Sequence, residues 1–268
     1  MVRIGLVGCG TIGSQLAREL QRHYPTHARI TALHDVDHHR ARALQRQLHP
    51  APPITSLPQL IRRSQLVIEA ASADAAREVV FRALRARRDV FVMSAGGLLH
   101  DRRWQALARR TGRKVYVPSG ALAGLDGVAA MAVGCIRRMS LTTRKPPKAL
   151  AAAPGLGRAR LHLDRLKGPV VVFDGSPEEA VRRFPQNTNV AAALTLSGGD
   201  AATRRRIRVV ADPAIRRNIH ELEVESDCGR IRCRIESRPS TNPKTSELAV
   251  RSAVATLGRL FDPVVIGT

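Results

Sequence analysis

The chain has 268 residues, with 44 lysines and arginines against 22 aspartates and glutamates, a formal charge of +22 at pH 7. This length suits one large domain or two small ones, and no run of about 18 apolar residues exists to form a membrane-spanning helix. Aromatic residues, at 3%, are too sparse to stack single-stranded nucleic acid, and the basic residues are spread along the chain, so the charge reads as a solvated surface that steers anionic ligands.

Val2–Val7 is an apolar run that ends in Gly8-Cys9-Gly10-Thr11-Ile12-Gly13, and Leu16, Ala17 and Leu20 follow at helical spacing. A strand, a Gly-x-Gly-x-x-Gly turn and a helix in that order predict a dinucleotide-binding loop. Gly8 permits the tight turn, Gly10 lets the backbone approach a pyrophosphate, and Gly13 lets the helix pack close to the sheet. The helix start, with Thr11 and Ile12, offers N–H groups to the phosphates. Residues 30–35 read as the next strand. Its final Asp35 lies near the position, about 20 residues on, of the acid that binds the adenosine ribose hydroxyls. Asp37 reads as a helix cap before residues 38–48 or as part of that site, and Arg40 is placed to neutralise a 2′-phosphate. NAD is the favoured cofactor, with NADP tolerated.

After a proline-rich loop at 50–53, strands at 66–70, 90–93 and 114–117 alternate with helices at 73–87 and 101–110. That alternation predicts an α/β fold with a Rossmann-type doubly wound parallel sheet. Ligands of such sheets sit off the carboxyl ends of the strands. Ala71, Ser72 and Ser94 therefore join the glycine loop and Asp35 as candidate cofactor contacts, although small residues also serve simply to turn corners. Glu69 reads either as buried against the cofactor or as paired with an arginine.

From residue 119 the pattern changes. Residues 137–145, 170–173, 191–196, 206–210, 220–224 and 230–236 read as short strands, punctuated by glycines, with a helix at 176–184. They predict a second, smaller α/β domain with a mostly antiparallel sheet and few helices. Asn242-Pro243 opens a last helix at 247–260 that returns to the first domain. The expected division is 1–118 plus 243–268 for the dinucleotide, and 119–242 for substrate and dimerisation.

Cys9, Cys135, Cys228 and Cys233 have no metal-binding spacing, and no metal is expected. The N-terminus has no signal-peptide pattern. A cytoplasmic protein with reduced thiols follows, without a nucleic-acid or membrane partner.

Nine segments in chain order resemble one family, the L-aspartate dehydrogenases: Ile68-Glu-Ala-Ala-Ser72, Val92-Met-Ser94-Ala-Gly96, Pro118-Ser-Gly-Ala121-Leu-Ala-Gly-Leu-Asp126, Leu141-Thr-Thr-Arg-Lys-Pro-Pro147, Phe173-Asp-Gly-Ser176, Phe184-Pro-Gln-Asn187-Thr-Asn189-Val-Ala-Ala, Ala211-Asp-Pro213, Asn218-Ile-His220-Glu-Leu and Asn242-Pro-Lys-Thr-Ser246. The resemblance implies a homodimer of Rossmann and α/β domains. It implies NAD(P)-dependent oxidative deamination of L-aspartate to iminoaspartate, then oxaloacetate and ammonia, or the reverse amination, feeding NAD biosynthesis. It also implies cofactor contacts at Ala121 and Asn189 and a catalytic role for His220. The chemistry needs one group that takes and gives protons near neutral pH, and histidine has an ordinary pKa of ~6.5. A hydrogen-bonded strand histidine is the plainer reading of the same residue.

A substrate with two carboxylates calls for cationic and hydroxyl donors. Lys244, Thr245 and Ser246, at the start of the last helix, are the candidates; a helix cap with a solvated lysine is the alternative. Arg144 and Lys145 are weaker candidates, since Pro146-Pro147 can simply end a strand. The rival functions are a dihydrodipicolinate-reductase-like enzyme, whose paired-histidine and lysine signature is absent after residue 119, and a non-catalytic NAD-binding sensor. The arginine excess is not part of the family pattern.

Overall fold

The apolar runs of the first 118 residues become five parallel strands: β1 (Val2–Val7), β2 (Ala28–His34), β3 (Leu66–Glu69), β4 (Asp89–Val92) and β5 (Val115–Tyr116). A computed structural model describes every residue of the chain except 152, 157–162, 185–188, 201, 239–245, 265, 267 and 268. It divides the chain into two units, Met1–Pro118 with Val250–Val265, and Ser119–Ala249 with Ile266–Thr268.

In the first unit the sheet order is β2-β1-β3-β4-β5. The sequence runs outward in both directions from β1, so the carboxyl ends of β1 and β3 flank the point where the order reverses, the usual ligand position in such sheets. Every residue of β3 is buried, as in a parallel sheet covered on both faces. Helix α1 (Thr11–His23) buries Gly13, Leu16, Ala17 and Leu20, one stripe at helical spacing. The carboxylate of Asp37 caps α2 (His38–Gln45) by accepting from the His39 and Arg40 N–H groups. A short helix, α3 (Leu57–Arg63), stands where the sequence shows no element; it buries only Leu60 and Ile61, too few positions to reveal a period. Ser72 caps α4 (Ala73–Arg85), and α5 (Arg103–Thr111) stops at Gly112, whose φ of 66° closes the helix.

The second unit adds α6 (Leu125–Met131), β6 (Ile136–Lys145), α7 (Pro147–Leu150), β7 (Val170–Gly175), α8 (Pro177–Arg183), α9 (Asn189–Ser197), β8 (Arg204–Ala211), β9 (Asn218–Ser226) and β10 (Arg230–Ser237). Its sheet order is β10-β9-β6-β8-β7. All neighbours are antiparallel except β6 and β8. Residues 191–196 are helix, not the strand expected. Val190 to Thr195 are all buried, so α9 has no polar face to betray its period, and its three alanines favour helix.

The two faces of this sheet differ. One packs Met139, Leu141, Leu222 and Val224 into an apolar core with Phe184 and Leu194. The other carries ion pairs: Arg138 with Glu225 at 2.9 Å, Arg144 with Glu221 at 3.1 Å, Arg232 with Glu223 at 3.0 Å and Arg206 with Asp174 at 2.6 Å. Exposed pairs of this kind add little stability each, but they keep an arginine-rich sheet face hydrated.

The last helix, α10 (Glu247–Gly258), crosses the boundary between the units. Its Val250, Ala253 and Leu257 belong to the core of the first unit, with Leu16, Leu20 and Leu44.

Gly13 is the tightest backbone contact of the first unit. A Cβ there would lie 1.9 Å from the Gly8 carbonyl oxygen, whereas one at Gly10 would meet only Arg40 Nη1, at 3.8 Å. Gly13→Ala is therefore expected to cost about 1–3 kcal/mol, and Gly10→Ala less than about 0.5 kcal/mol. Urea unfolding of both variants beside the parent chain checks the contrast.

Candidate active site

The glycine loop leaves β1 through Gly8 at φ 93°, a left-handed conformation, and a side chain there would run into the backbone of Ala70 and Ala71. The loops after β1 and β3 are thus in contact at the point where the strand order reverses. Gly10 precedes α1 with no side-chain cap, and the first turn carries no acid. The helix dipole and the N–H groups of this turn favour an anion.

Asp35, just past β2, is fixed by two backbone donors, Cys9 N–H at 2.6 Å and Asp37 N–H at 2.8 Å. Asp37 itself serves as the cap of α2 and pairs with Arg40 at 3.1 Å. A forced tight turn, open space beside Gly10, an uncapped helix start and an oriented carboxylate after β2 are what a dinucleotide requires. The residues present fit the group.

Glu69 ends β3 fully buried, and its hydrogen bonds run to the chain itself rather than to an arginine. One oxygen accepts from the Ala71 N–H at 2.8 Å, the other from the Ser94 N–H at 3.0 Å. It therefore ties the loop after β3 to the loop after β4. Ser72 uses its hydroxyl to cap α4, accepting from the Ala75 N–H at 3.2 Å. Gly8, Gly10, Thr11, Ile12, Gly13, Asp35, Ala71, Ser72 and Ser94 all lie at the carboxyl ends of this one sheet.

In the second unit, strand alternation builds a buried polar patch at one end of the apolar sheet face. Thr143 of β6 is paired in register with His220 of β9, and Thr143 Oγ1 lies 3.0 Å from His220 Nδ1. Lys145, two residues on, occupies the same face; Thr143, Lys145, Asn218, His220 and Ser237 are all buried. Burial, and secondarily the nearby Lys145 ammonium, pushes the His220 imidazole down to about 3. Burial lowers the Lys145 ammonium to about 8. At neutral pH His220 is an uncharged imidazole beside a cationic lysine.

The other residues singled out from the sequence lie elsewhere in this unit. Ala121 is buried in the turn from Ser119 to Leu122, and Asn189 is the first residue of α9. Ser246 accepts from the Ala249 N–H at 3.2 Å and so caps α10. Lys244 and Thr245 lie outside the described residues. Lys145, set aside in the sequence as a strand end, is the residue this structure promotes. The period of two in β6 carried the signal, since Met139, Leu141, Thr143 and Lys145 share a face.

A phosphate-binding glycine loop on a parallel sheet, joined to a second domain with a buried histidine, defines an NAD-dependent oxidoreductase of two domains. The family model for the aspartate dehydrogenase C-terminal domain matches residues 126–260, and that described as homoserine dehydrogenase, NAD binding domain, matches residues 8–118. The L-aspartate dehydrogenase of Methanosarcina barkeri is 40% identical, and that of Methanocaldococcus jannaschii 37% identical, each over the full length of both chains. That of Bradyrhizobium diazoefficiens is 34% identical, covering all of this chain and 94% of its own. The crystal structure of aspartate dehydrogenase from Thermotoga maritima superimposes over both whole chains with a TM-score of 0.73 at 24% identity, which shows the fold. The chain belongs to the L-aspartate dehydrogenase family.

Burial raises the Glu69 carboxyl to about 7, against an ordinary 4.5, with the N–H groups of Ser94, Ala71 and Ser72 and the Ser94 hydroxyl offsetting only part of the effect. A carboxyl raised in the folded state favours folding most below its unfolded pKa, and that contribution is lost as pH rises through the folded value. Glu69→Gln should thus be less stable than the parent near pH 5, because its amide turns a donor toward one N–H. The gap should narrow by on the order of 3 kcal/mol by pH 8. Urea unfolding at intervals between these pH values measures it.

Proposed function

We propose that this chain oxidises L-aspartate to iminoaspartate with NAD, water then giving oxaloacetate and ammonia, and that it also runs the reverse amination. The carrying observation is the buried His220–Thr143–Lys145 patch, in a chain whose relatives at 34–40% identity are L-aspartate dehydrogenases. In this reading the first 118 residues, with 243–268, hold the dinucleotide through the glycine loop, Asp35, Ala71, Ser72 and Ser94. Residues 119–242 bind substrate and form a homodimer, with Ala121 and Asn189 reaching the cofactor. Lys244, Thr245 and Ser246 assist the substrate carboxylates. A cytoplasmic enzyme feeding NAD biosynthesis completes the proposal.

The bound nicotinamide supplies a hydride acceptor for the substrate Cα. The substrate amine must first lose a proton, because an ammonium has no lone pair to form the C=N bond. His220 is uncharged and able to accept that proton. Burial chiefly, and the Lys145 charge secondarily, keep its proton affinity low, and two substrate carboxylates bring opposite charge that raises it. Thr143 holds the ring by Nδ1, which directs Nε2 to the proton transfer. On amination, the same nitrogen returns the proton.

Asp35 supports NAD over NADP, since its carboxylate repels a 2′-phosphate, while Arg40 near Gly10 supports some NADP use. The parent chain is expected to reduce NAD with L-aspartate and not with D-aspartate, L-alanine or L-glutamate. His220→Ala should lower kcat by about a hundredfold or more, with NADH affinity within twofold of the parent by fluorescence titration. Unchanged turnover in this variant removes His220 from the reaction. Asp35→Ala should shift the ratio of kcat/KM values for NADP over NAD upward by about tenfold, on the order of 1.4 kcal/mol of discrimination; an unchanged ratio places the ribose elsewhere.

A further inference from the structure

Three strands bring a second set of polar groups beside His220. Ser237 of β10 is paired in register with Asn218 of β9. Arg144 of β6 is paired with Ile219, so the next residue, Lys145, comes opposite Asn218. Directly opposed residues of an antiparallel pair share a face. Ser237, Asn218 and Lys145 thus form one cross-strand row, next to the row of Ile235, His220 and Thr143.

Two features of that row point to a ligand. The Lys145 side chain is buried, 4% exposed, on the same strand face as Thr143. The Ser237 hydroxyl, also 4% exposed, has no hydrogen-bond partner among the described residues. A buried hydroxyl without a partner costs free energy that a ligand oxygen recovers. A ligand carboxylate beside this ammonium would make a charge-assisted hydrogen bond to it.

We infer that Lys145 is a substrate-binding residue whose ammonium, with the Ser237 hydroxyl, holds one carboxylate of the dicarboxylate substrate beside His220. The inference rests on the aspartate reading proposed above and adds to it the groups that select a second carboxylate. The same contact links binding to chemistry. Burial is the larger cause of the low basicity of His220; a carboxylate on Lys145 offsets the smaller one, the lysine charge, so the histidine gains proton affinity when the correct substrate is in place.

The test compares the parent chain with Lys145→Met and Ser237→Ala, each saturated with NAD or NADH. Succinate, a dicarboxylate that cannot react, is the binding probe and butyrate its monocarboxylate control. Methionine is unbranched, one atom shorter than lysine, and suits a buried apolar wall, and Ser237→Ala removes one oxygen, so a folded variant is available for each position. Lys145→Met is expected to weaken succinate binding and raise KM for L-aspartate by about 30-fold, the scale of one charge-assisted hydrogen bond. Its affinities for butyrate and NADH should stay within about threefold of the parent. Ser237→Ala should weaken succinate by about fivefold.

Parent-like succinate affinity and KM in Lys145→Met overturn the inference while leaving the aspartate reading intact. Equal losses for succinate, butyrate and NADH also overturn it, by showing a structural role. A parent chain that neither oxidises L-aspartate nor prefers succinate to butyrate overturns both.

Discussion

A buried carboxylate organises the nucleotide half of this molecule. Glu69 ends the central strand β3, and its two oxygens hold the backbone of Ala71 and Ser94, each two residues past the end of its strand. The Ala70–Ala71 backbone in turn lies against Gly8, where no side chain can fit. Gly8, finally, packs under Gly13 and so fixes where α1 begins. One acid and two glycines thereby set the relative positions of three loops at the carboxyl edge of the sheet. A dinucleotide needs such an edge already shaped, because ordering mobile loops at the moment of binding would offset part of the affinity.

The second unit separates its tasks by strand alternation. One sheet face is apolar and packed beneath helices; the other is covered by arginine–glutamate and arginine–aspartate pairs. At one end of the packed face histidine, lysine, threonine, asparagine and serine are buried together. Burying them without function would be costly, which makes this end of the sheet the place where chemistry is expected. The ion-paired face also accounts for part of the arginine excess. These residues serve the surface, and the net charge of +22 that remains favours the approach of anionic substrate and cofactor.

The first sheet was legible because its signals are local. Apolar runs, glycine punctuation and helical spacing fall within a few residues of each other, and the strands from Val2 and Leu66 follow from them. The residues around His220 were legible mainly through family resemblance. Their juxtaposition depends on register between strands more than 70 residues apart, which no local pattern encodes. Glu69 was conspicuous as an acid in an apolar strand, but most of its donors are backbone N–H groups, which leave no trace in the sequence. Lys145 could have been read from the alternation through Met139, Leu141 and Thr143; the prolines that follow it drew attention to the end of the strand instead. Helix α9 misled for a different reason, since a segment buried on every side carries no period.

The central claim is that the hydrogen on Cα of L-aspartate is transferred directly to the cofactor. Oxidation of L-aspartate deuterated at Cα, with NAD in ordinary water and mass spectrometry of the NADH formed, tests it most directly. The account predicts one deuterium in each NADH, with one oxaloacetate or imine formed per NADH. NADH without deuterium, or no NADH from L-aspartate in a folded chain that binds the cofactor, would contradict it.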